Sequence, residues 1–251
     1  MPLDIDWIRQ SRPESQIHYF ASVASTMNVA LRLAAAGAPH GTIVLADEQT
    51  AGIGRLGRTW QSIADAGLYS STLLRLAIAP AHIPVVTLVL GLATADAIQK
   101  TAGLACDLRW PNDVLIHERK VAGILAQLND GCVIAGIGIN VNQSGFPEGL
   151  RTPATSLLIE SKGRAQSREA LAIQLMESLT IFCGIFESEG PESILRAFTA
   201  ASSYARGRRI VLEESGREGV TAGLDEQGFL MVRFDNGSVE RVAAGGVRPA
   251  R

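Results

Sequence analysis

The chain has 251 residues, 47% of them hydrophobic and 19% charged, with a formal net charge of −2. That length supports one large domain, or a domain with a small appendage, and the composition excludes a disordered or fibrous chain. The near-neutral charge gives no electrostatic footprint for nucleic acid or an anionic membrane.

Cys106, Cys132 and Cys183 are odd in number and widely spaced, so they make neither a disulfide framework nor a zinc site. His18, His40, His82 and His117 are equally scattered, and no metal ligands are expected. A reducing cytoplasm fits best. The first twenty residues carry acids early and lack an apolar run, so no targeting segment is expected. The longest apolar stretch, 84–98, is broken by Thr87, Gly91, Thr94 and Asp96; it reads as a buried helix, too short for a bilayer.

In chain order, a first helix is predicted over 26–36, with Ser25 as N-cap, Gly37 as stop, and Met27, Ala30, Leu31 and Ala34 on one face. Residues 42–48 read as a buried strand, 50–59 as a loop rich in glycine and arginine, and 68–76 as an alternating strand. A second helix starts near Pro84 and stops near Gly103. Two short strands flank the turn Pro111-Asn112-Asp113, and strands follow over 121–128 and 132–141. Helices are predicted over 168–187 and 191–201, broken at Gly190-Pro191. The rest is short β segments joined by Ser-Gly, Glu-Gln-Gly and Asp-Asn-Gly hairpin turns. The expected fold is α+β. A mixed, largely antiparallel sheet with helices on one face would occupy residues 1–205, and a small C-terminal β-barrel residues 206–251.

Residues 47–60, DEQTAGIGRLGRTW, carry the most chemistry. Gly52, Gly54 and Gly57 spell the dinucleotide-binding fingerprint, but Arg58-Thr59-Trp60 does not start a helix and no acid follows about twenty residues on. No phosphate-binding P-loop is present either. What remains is a backbone able to approach a ligand, two guanidiniums suited to a phosphate, and the flat face of Trp60. A surface hairpin with solvated arginines is the plain alternative. The second dense stretch joins RWPNDV (109–114) to RKVAGILAQ (119–127). Lys120 stands at a strand entrance and could reach a carboxylate or phosphate in a cavity. Asp113 lies across the turn, where a hairpin would bring it near Lys120 to orient a substrate amine. An ordinary surface ion pair would read the same way.

Together these segments resemble the biotin protein ligases. EQTAGIGRLGRTW looks like that family's adenylate loop, RWPNDV and RKVAGIL like its central motifs, GIGINVN (136–142) like its third, and TSLLIE (155–160) follows in place. The resemblance runs from about residue 17 to the C-terminus and agrees with the α+β fold. It implies an ATP-dependent ligase: biotin and Mg2+-bound ATP give biotinyl-5′-AMP, and a lysine of a biotin carboxyl carrier domain takes the biotin. Carried over by position, Ser25, Thr26 and Gln49 would hold the biotin ring, with Gly123 adding backbone contacts and Met27 beside them. Arg55 and Arg58 would hold the phosphate, on a loop shaped by Gly52, Ile53 and Gly54. Lys120 would bridge biotin carboxylate and α-phosphate, and Trp60 would cover the adenylate. Asn140 would read adenine, Asn112 would support the nucleotide side, and Asp113 would assist the incoming lysine. Two departures stand out: Ile53, where the family commonly has Arg, and Met27, where many relatives are polar. About sixteen residues precede the first catalytic strand, too few for a helix-turn-helix, so no operator binding is expected. The rival readings are a lipoate or octanoate ligase and a biotin-binding protein without catalysis; the glycine-arginine loop favours biotin over the first and the intact phosphate-binding set opposes the second. The partners implied are the carrier domain, biotin and ATP, with neither nucleic acid nor membrane, in a monomer or homodimer.

Overall fold

A computed structural model describes residues 1–250. After a short helix α1 (Ile5–Ser11) come strand β1 (Ile17–Val23), helix α2 (Thr26–Ala35) and strands β2 (Ile43–Gln49) and β3 (Gly67–Leu74). Helix α3 (Ile83–Ala102) leads into β4 (Asp107–Arg109), β5 (Asp113–Ile116), β6 (Arg119–Asn129) and β7 (Cys132–Asn140). Helices α4 (Leu157–Glu160), α5 (Arg168–Glu189) and α6 (Pro191–Ala200) follow. The chain ends in β8 (Arg206–Leu212), β9 (Glu218–Leu224), β10 (Leu230–Arg233), β11 (Val239–Val242) and β12 (Val247–Pro249).

The first sheet has seven strands in the order β1-β2-β3-β7-β6-β5-β4; β1 and β2 are parallel and every other pair is antiparallel. The second is antiparallel, in the order β11-β10-β9-β8-β12. This is the mixed, largely antiparallel α+β plan expected from the sequence, with two corrections: α2 packs on the face opposite the long helices, and the second sheet is an open order of five strands in place of the expected closed barrel.

Strand alternation explains the layering. On β2, Ile43 and Leu45 join the large core formed with α3, α5 and α6, while Val44 points the other way, into a smaller cluster with Met27, Val29, Ala30 and Ala34 of α2. The long helices thus cover one face and α2 covers the other. Being central, β3 is buried along its whole length, so its alternation separates two cores rather than a core from water. Each large apolar side chain so enclosed contributes roughly 1.5–3 kcal/mol. Ile210, Leu230, Val232 and Phe234 of the second sheet belong to the same large cluster, which presses that sheet against the first.

Three local readings change. Helix α1 precedes the one expected first; it is only 7 residues long and is started by Asp4, whose side chain accepts from the Trp7 N–H. Ser25 occupies the N-cap position of α2 but makes no cap bond; Gln49 Oε1 accepts from the Thr26 N–H at 2.9 Å instead. The apolar stretch expected to be too short for a bilayer extends to 23 residues, Pro80–Ala102, long enough by length and hydropathy alone, yet 61% of its most apolar window is buried, and α3 packs on α5 and the sheet. The stop near Gly103 is as expected: Gly103 takes φ +71, a conformation open to glycine at little cost, and its N–H reaches Gln99 O.

Candidate active site

A cavity of about 300 Å³ opens on the α2 face of the sheet, floored by β6 and β7 and walled by the loop 52–60, the turn 110–113, the segment 146–154 and the hairpins of the second sheet. Of the residues picked from the sequence, Thr26, Met27, Gln49, Ile53, Gly54, Arg55, Arg58, Trp60, Asn112, Asp113, Lys120, Gly123 and Asn140 line it. Ser25 and Gly52 do not.

The loop is a tight hairpin. Ile53 pairs with Thr59, the Gly54 N–H donates to Arg58 O at 2.6 Å, and the Trp60 N–H donates to Gly52 O at 2.9 Å. A 3-10 turn, Arg55–Gly57, forms the tip, and Arg58 after it is extended. The helix a dinucleotide fingerprint needs is therefore missing. The glycines serve the hairpin itself: a Cβ on Gly52 would stand 2.4 Å from Trp60 O, and one on Gly54 would stand 3.1 Å from Arg58 O.

Trp60 leaves the hairpin and lies flat on two glycines of the floor. A Cβ on Gly123 would come within 2.6 Å of its ring, and one on Gly138 within 2.5 Å. Its indole N–H is buried without a hydrogen-bond partner. The Lys120 ammonium sits 5.4 Å from the ring centroid, within range of a cation–π attraction. Met27 occupies an analogous gap, since a Cβ on Gly136 would meet its sulfur at 2.6 Å. This gives the departure at Met27 a packing reason.

Two largely enclosed carboxylates, with side chains 14% and 7% exposed, each hold two cations. Asp113 takes Lys120 at 2.5 Å and Arg109 at 2.5 Å; Glu213 takes Arg58 at 3.3 Å and Arg151 at 3.5 Å. Burial alone would raise the Asp113 pKa, but the charges of Lys120 and Arg109 outweigh it and hold the carboxyl below its ordinary value. Arg55 is different. It donates to Asn112 Oδ1 at 3.2 Å and Gly245 O at 3.0 Å, both neutral, and among the described residues no carboxylate comes within ion-pair distance. Partial burial, which disfavours the charged form, pushes its pKa down against the pull of the more distant carboxylates.

The remaining polar groups are already oriented. Thr26 Oγ1 donates to Gln49 Oε1 at 3.0 Å and so accepts from Ser71 Oγ at 2.8 Å, and Gln49 donates to Ser62 at 3.0 Å. Asn112 Nδ2 donates to Ile124 O at 2.9 Å, fixing which end faces Arg55. Asn140 Nδ2 donates to Thr155 O at 3.0 Å and so props the wall behind Lys120. Ser25 Oγ is buried behind the lining with no partner.

Sequence reasoning missed Arg109, Arg151 and Glu213 as site residues. Arg109 had a signal, four residues ahead of Asp113 across a turn. Glu213 had none: it meets Arg58 only through packing of the second sheet, 155 residues away in the chain.

A cation-lined cavity on a mixed sheet, with a glycine-arginine hairpin over it, defines a protein that binds an anionic ligand beside a lysine. Residues 19–144 match the biotin/lipoate A/B protein ligase family, and the chain belongs to that family, on its biotin protein ligase branch. It is 33% identical to the biotin–[acetyl-CoA-carboxylase] ligase of Mycobacterium tuberculosis, over 92% of this chain and 88% of that one. It is 34% identical to the bifunctional ligase/repressor BirA of Bacillus subtilis, over 87% of this chain and 70% of that one. Its fold superposes on the biotin protein ligase from Aquifex aeolicus in complex with biotin and ATP with a TM-score of 0.81, at 30% identity, covering 93% and 97% of the two chains.

Proposed function

We propose that the protein activates biotin with ATP and transfers it to a lysine of a biotin carboxyl carrier domain. The observation that carries this is Arg55: a half-buried guanidinium at the cavity wall whose own hydrogen-bond partners, Asn112 Oδ1 and Gly245 O, are both neutral would be matched by an anionic ligand. The kinship with ligases named for biotin supplies the acid, and the relative solved with biotin and ATP supplies the nucleotide.

In the first step an oxygen of the biotin carboxylate attacks the α-phosphorus, the bond to the bridging oxygen breaks, and pyrophosphate leaves. Two anions must meet and charge builds on the phosphoryl oxygens, so preorganised cations lower the barrier. Arg55 and Arg58 would take the phosphate, and Lys120, at the Asp113 end, would sit between carboxylate and phosphate. Thr26 and Gln49, already hydrogen-bonded to each other, would hold the biotin ring, with Met27 and the backbone of Gly123 against it. Trp60 would cover the adenylate, and Asn140 and Asn112 would flank the nucleotide. In the second step the lysine amine attacks the acyl carbon, AMP departs, and the amine proton is lost. Asp113, ionised and held by two cations, would orient that amine.

Asp113 and Glu213, the carboxylates at the cavity, are each engaged by two cations and offer a poor resident metal site. Magnesium would enter bound to ATP, as substrate. Residues 1–205 would carry the chemistry and 206–251 would close the nucleotide side, in a cytoplasmic monomer or homodimer. Biotin-dependent exchange of labelled pyrophosphate into ATP tests the first step. Exchange with biotin and not with lipoate or octanoate supports the reading, and exchange with lipoate or octanoate alone overturns it.

A further inference from the structure

We propose that Glu213, immediately after β8 in the second sheet, is a positioning residue that holds the hairpin 52–60 closed over its ligand by fixing Arg58. The inference rests on the adenylating role proposed above for that hairpin. Glu213 is itself firmly held. Its side chain is 7% exposed, its N–H donates to Gly246 O at 2.9 Å, and Arg151 donates to its carbonyl at 3.0 Å. Gly246 leaves the carboxylate its room, since a Cβ there would stand 3.1 Å from Glu213 Oε2.

Arg58 is the movable partner. It follows a tip in which Leu56 and Gly57 have φ of 56° and 71°, Leu56 is 60% exposed, and its own side chain is 48% exposed. A pinned anion beside a cation on a protruding hairpin decides where the cation rests. Arg55 is tied the same way, through Gly245 O at 3.0 Å. Both hairpin arginines are thus anchored to the second sheet, on the segments 213 and 245–246. The carboxylate does not spoil the site for an anion, because two guanidiniums share it and the trio stays net positive.

Removing Glu213 would free Arg58 and let the hairpin open, so the intermediate escapes faster. The test is a double-mutant cycle of Glu213→Ala and Arg58→Ala, reading release of biotinyl-adenylate from the purified enzyme, with trypsin cleavage after Arg55 in the ligand-free protein as a second readout. Glu213→Ala is expected to raise release about tenfold or more in the Arg58 background and to change it little once Arg58 is gone. It is also expected to speed cleavage after Arg55. Glu213→Gln, which keeps the shape without the charge, should fall between, and it carries the test if the alanine variant unfolds. Equal effects in both backgrounds, or unchanged release and cleavage, would overturn the proposal. A protein that makes no adenylate would overturn the ligase reading instead, while cleavage after Arg55 would still report whether Glu213 holds the hairpin.

Discussion

Lys120 Nζ lies 2.5 Å from Asp113 Oδ1 because the ladder between β5 and β6 shifts register just where the two strands meet. Asp113 pairs with Gly123, but Leu115 pairs with Lys120, so one residue of β6 is left over. Without that bulge, Lys120 and Gly123, three residues apart, would face opposite sides of the sheet. With it, both face the cavity, and the lysine meets its carboxylate above the glycine that seats Trp60.

Lys120→Ala removes the cation at that junction. Loss of one preorganised charge contact of this kind costs about 2.7–4 kcal/mol, so adenylate formation should slow roughly 10²- to 10³-fold. Asp113→Asn should behave differently, slowing transfer to the acceptor more than adenylate formation. Single-turnover measurements of the two half-reactions separate these outcomes; equal slowing of both steps by Asp113→Asn would contradict the orienting role.

Because the folded pKa of Asp113 is depressed, its ion pairs stabilise the fold above the unfolded value of about 3.9 and are lost as pH falls through the folded value. The stability difference between wild type and Asp113→Asn should therefore be flat from neutral pH down to about 4 and shrink only below it. Urea unfolding at a series of pH values measures this. A wild-type advantage that instead grows as pH falls from about 7 to 5 would mean that the folded pKa is raised and that the cations do not outweigh burial at Asp113.

Arg109 is 4% exposed and shares Asp113 with Lys120. Arg109→Met leaves the buried carboxylate with a single cation, and breaking a buried pair in this way typically costs about 3–5 kcal/mol. A clear fall in the urea midpoint is expected, with partial recovery in Arg109→Lys. Unchanged stability would show that Lys120 alone suffices.

Gly138→Ala places a methyl 2.5 Å from the Trp60 ring. Overpacking typically costs about 1–3 kcal/mol, and here the ring is the group that must move. Biotin binding by calorimetry should weaken, and the emission of Trp60 should shift toward that of a solvated indole. The same change in a Trp60→Phe background identifies the signal.

Ile53 is 40% exposed at the rim, so an arginine fits there without disturbing the core. Ile53→Arg adds a charge-assisted contact worth about 1.5–3 kcal/mol and should slow release of the adenylate roughly tenfold or more. An unchanged release rate would mean that the loop main chain already supplies that contact.

The sequence carried most of this site because its chemistry is concentrated in short segments. The glycine-arginine hairpin, the Asp113 turn and Lys120 could each be picked out by residue type, and a hairpin was the expected way to bring the last two together. The role of the glycines was not visible, since what excludes a Cβ at Gly52 is the returning strand of the same loop. Ser25 was misjudged because the cap of α2 comes from Gln49, 23 residues away, and not from the local residue. Glu213 and Arg151 look like ordinary surface charges until the second sheet is packed; no local pattern links a hairpin acid to an arginine so distant in the chain. Helix α1 was missed because 7 residues carry too little periodicity to register.

The central claim is that this cavity joins biotin to a protein lysine through an adenylate. The most direct measurement is the mass of a biotin carboxyl carrier domain after incubation with the protein, Mg-ATP and biotin, lipoate or octanoate supplied separately. A gain equal to one biotinyl group, seen with biotin alone and abolished by Lys120→Ala, is the predicted result. No gain with biotin, alongside measurable biotin binding or a gain with lipoate or octanoate, would contradict it.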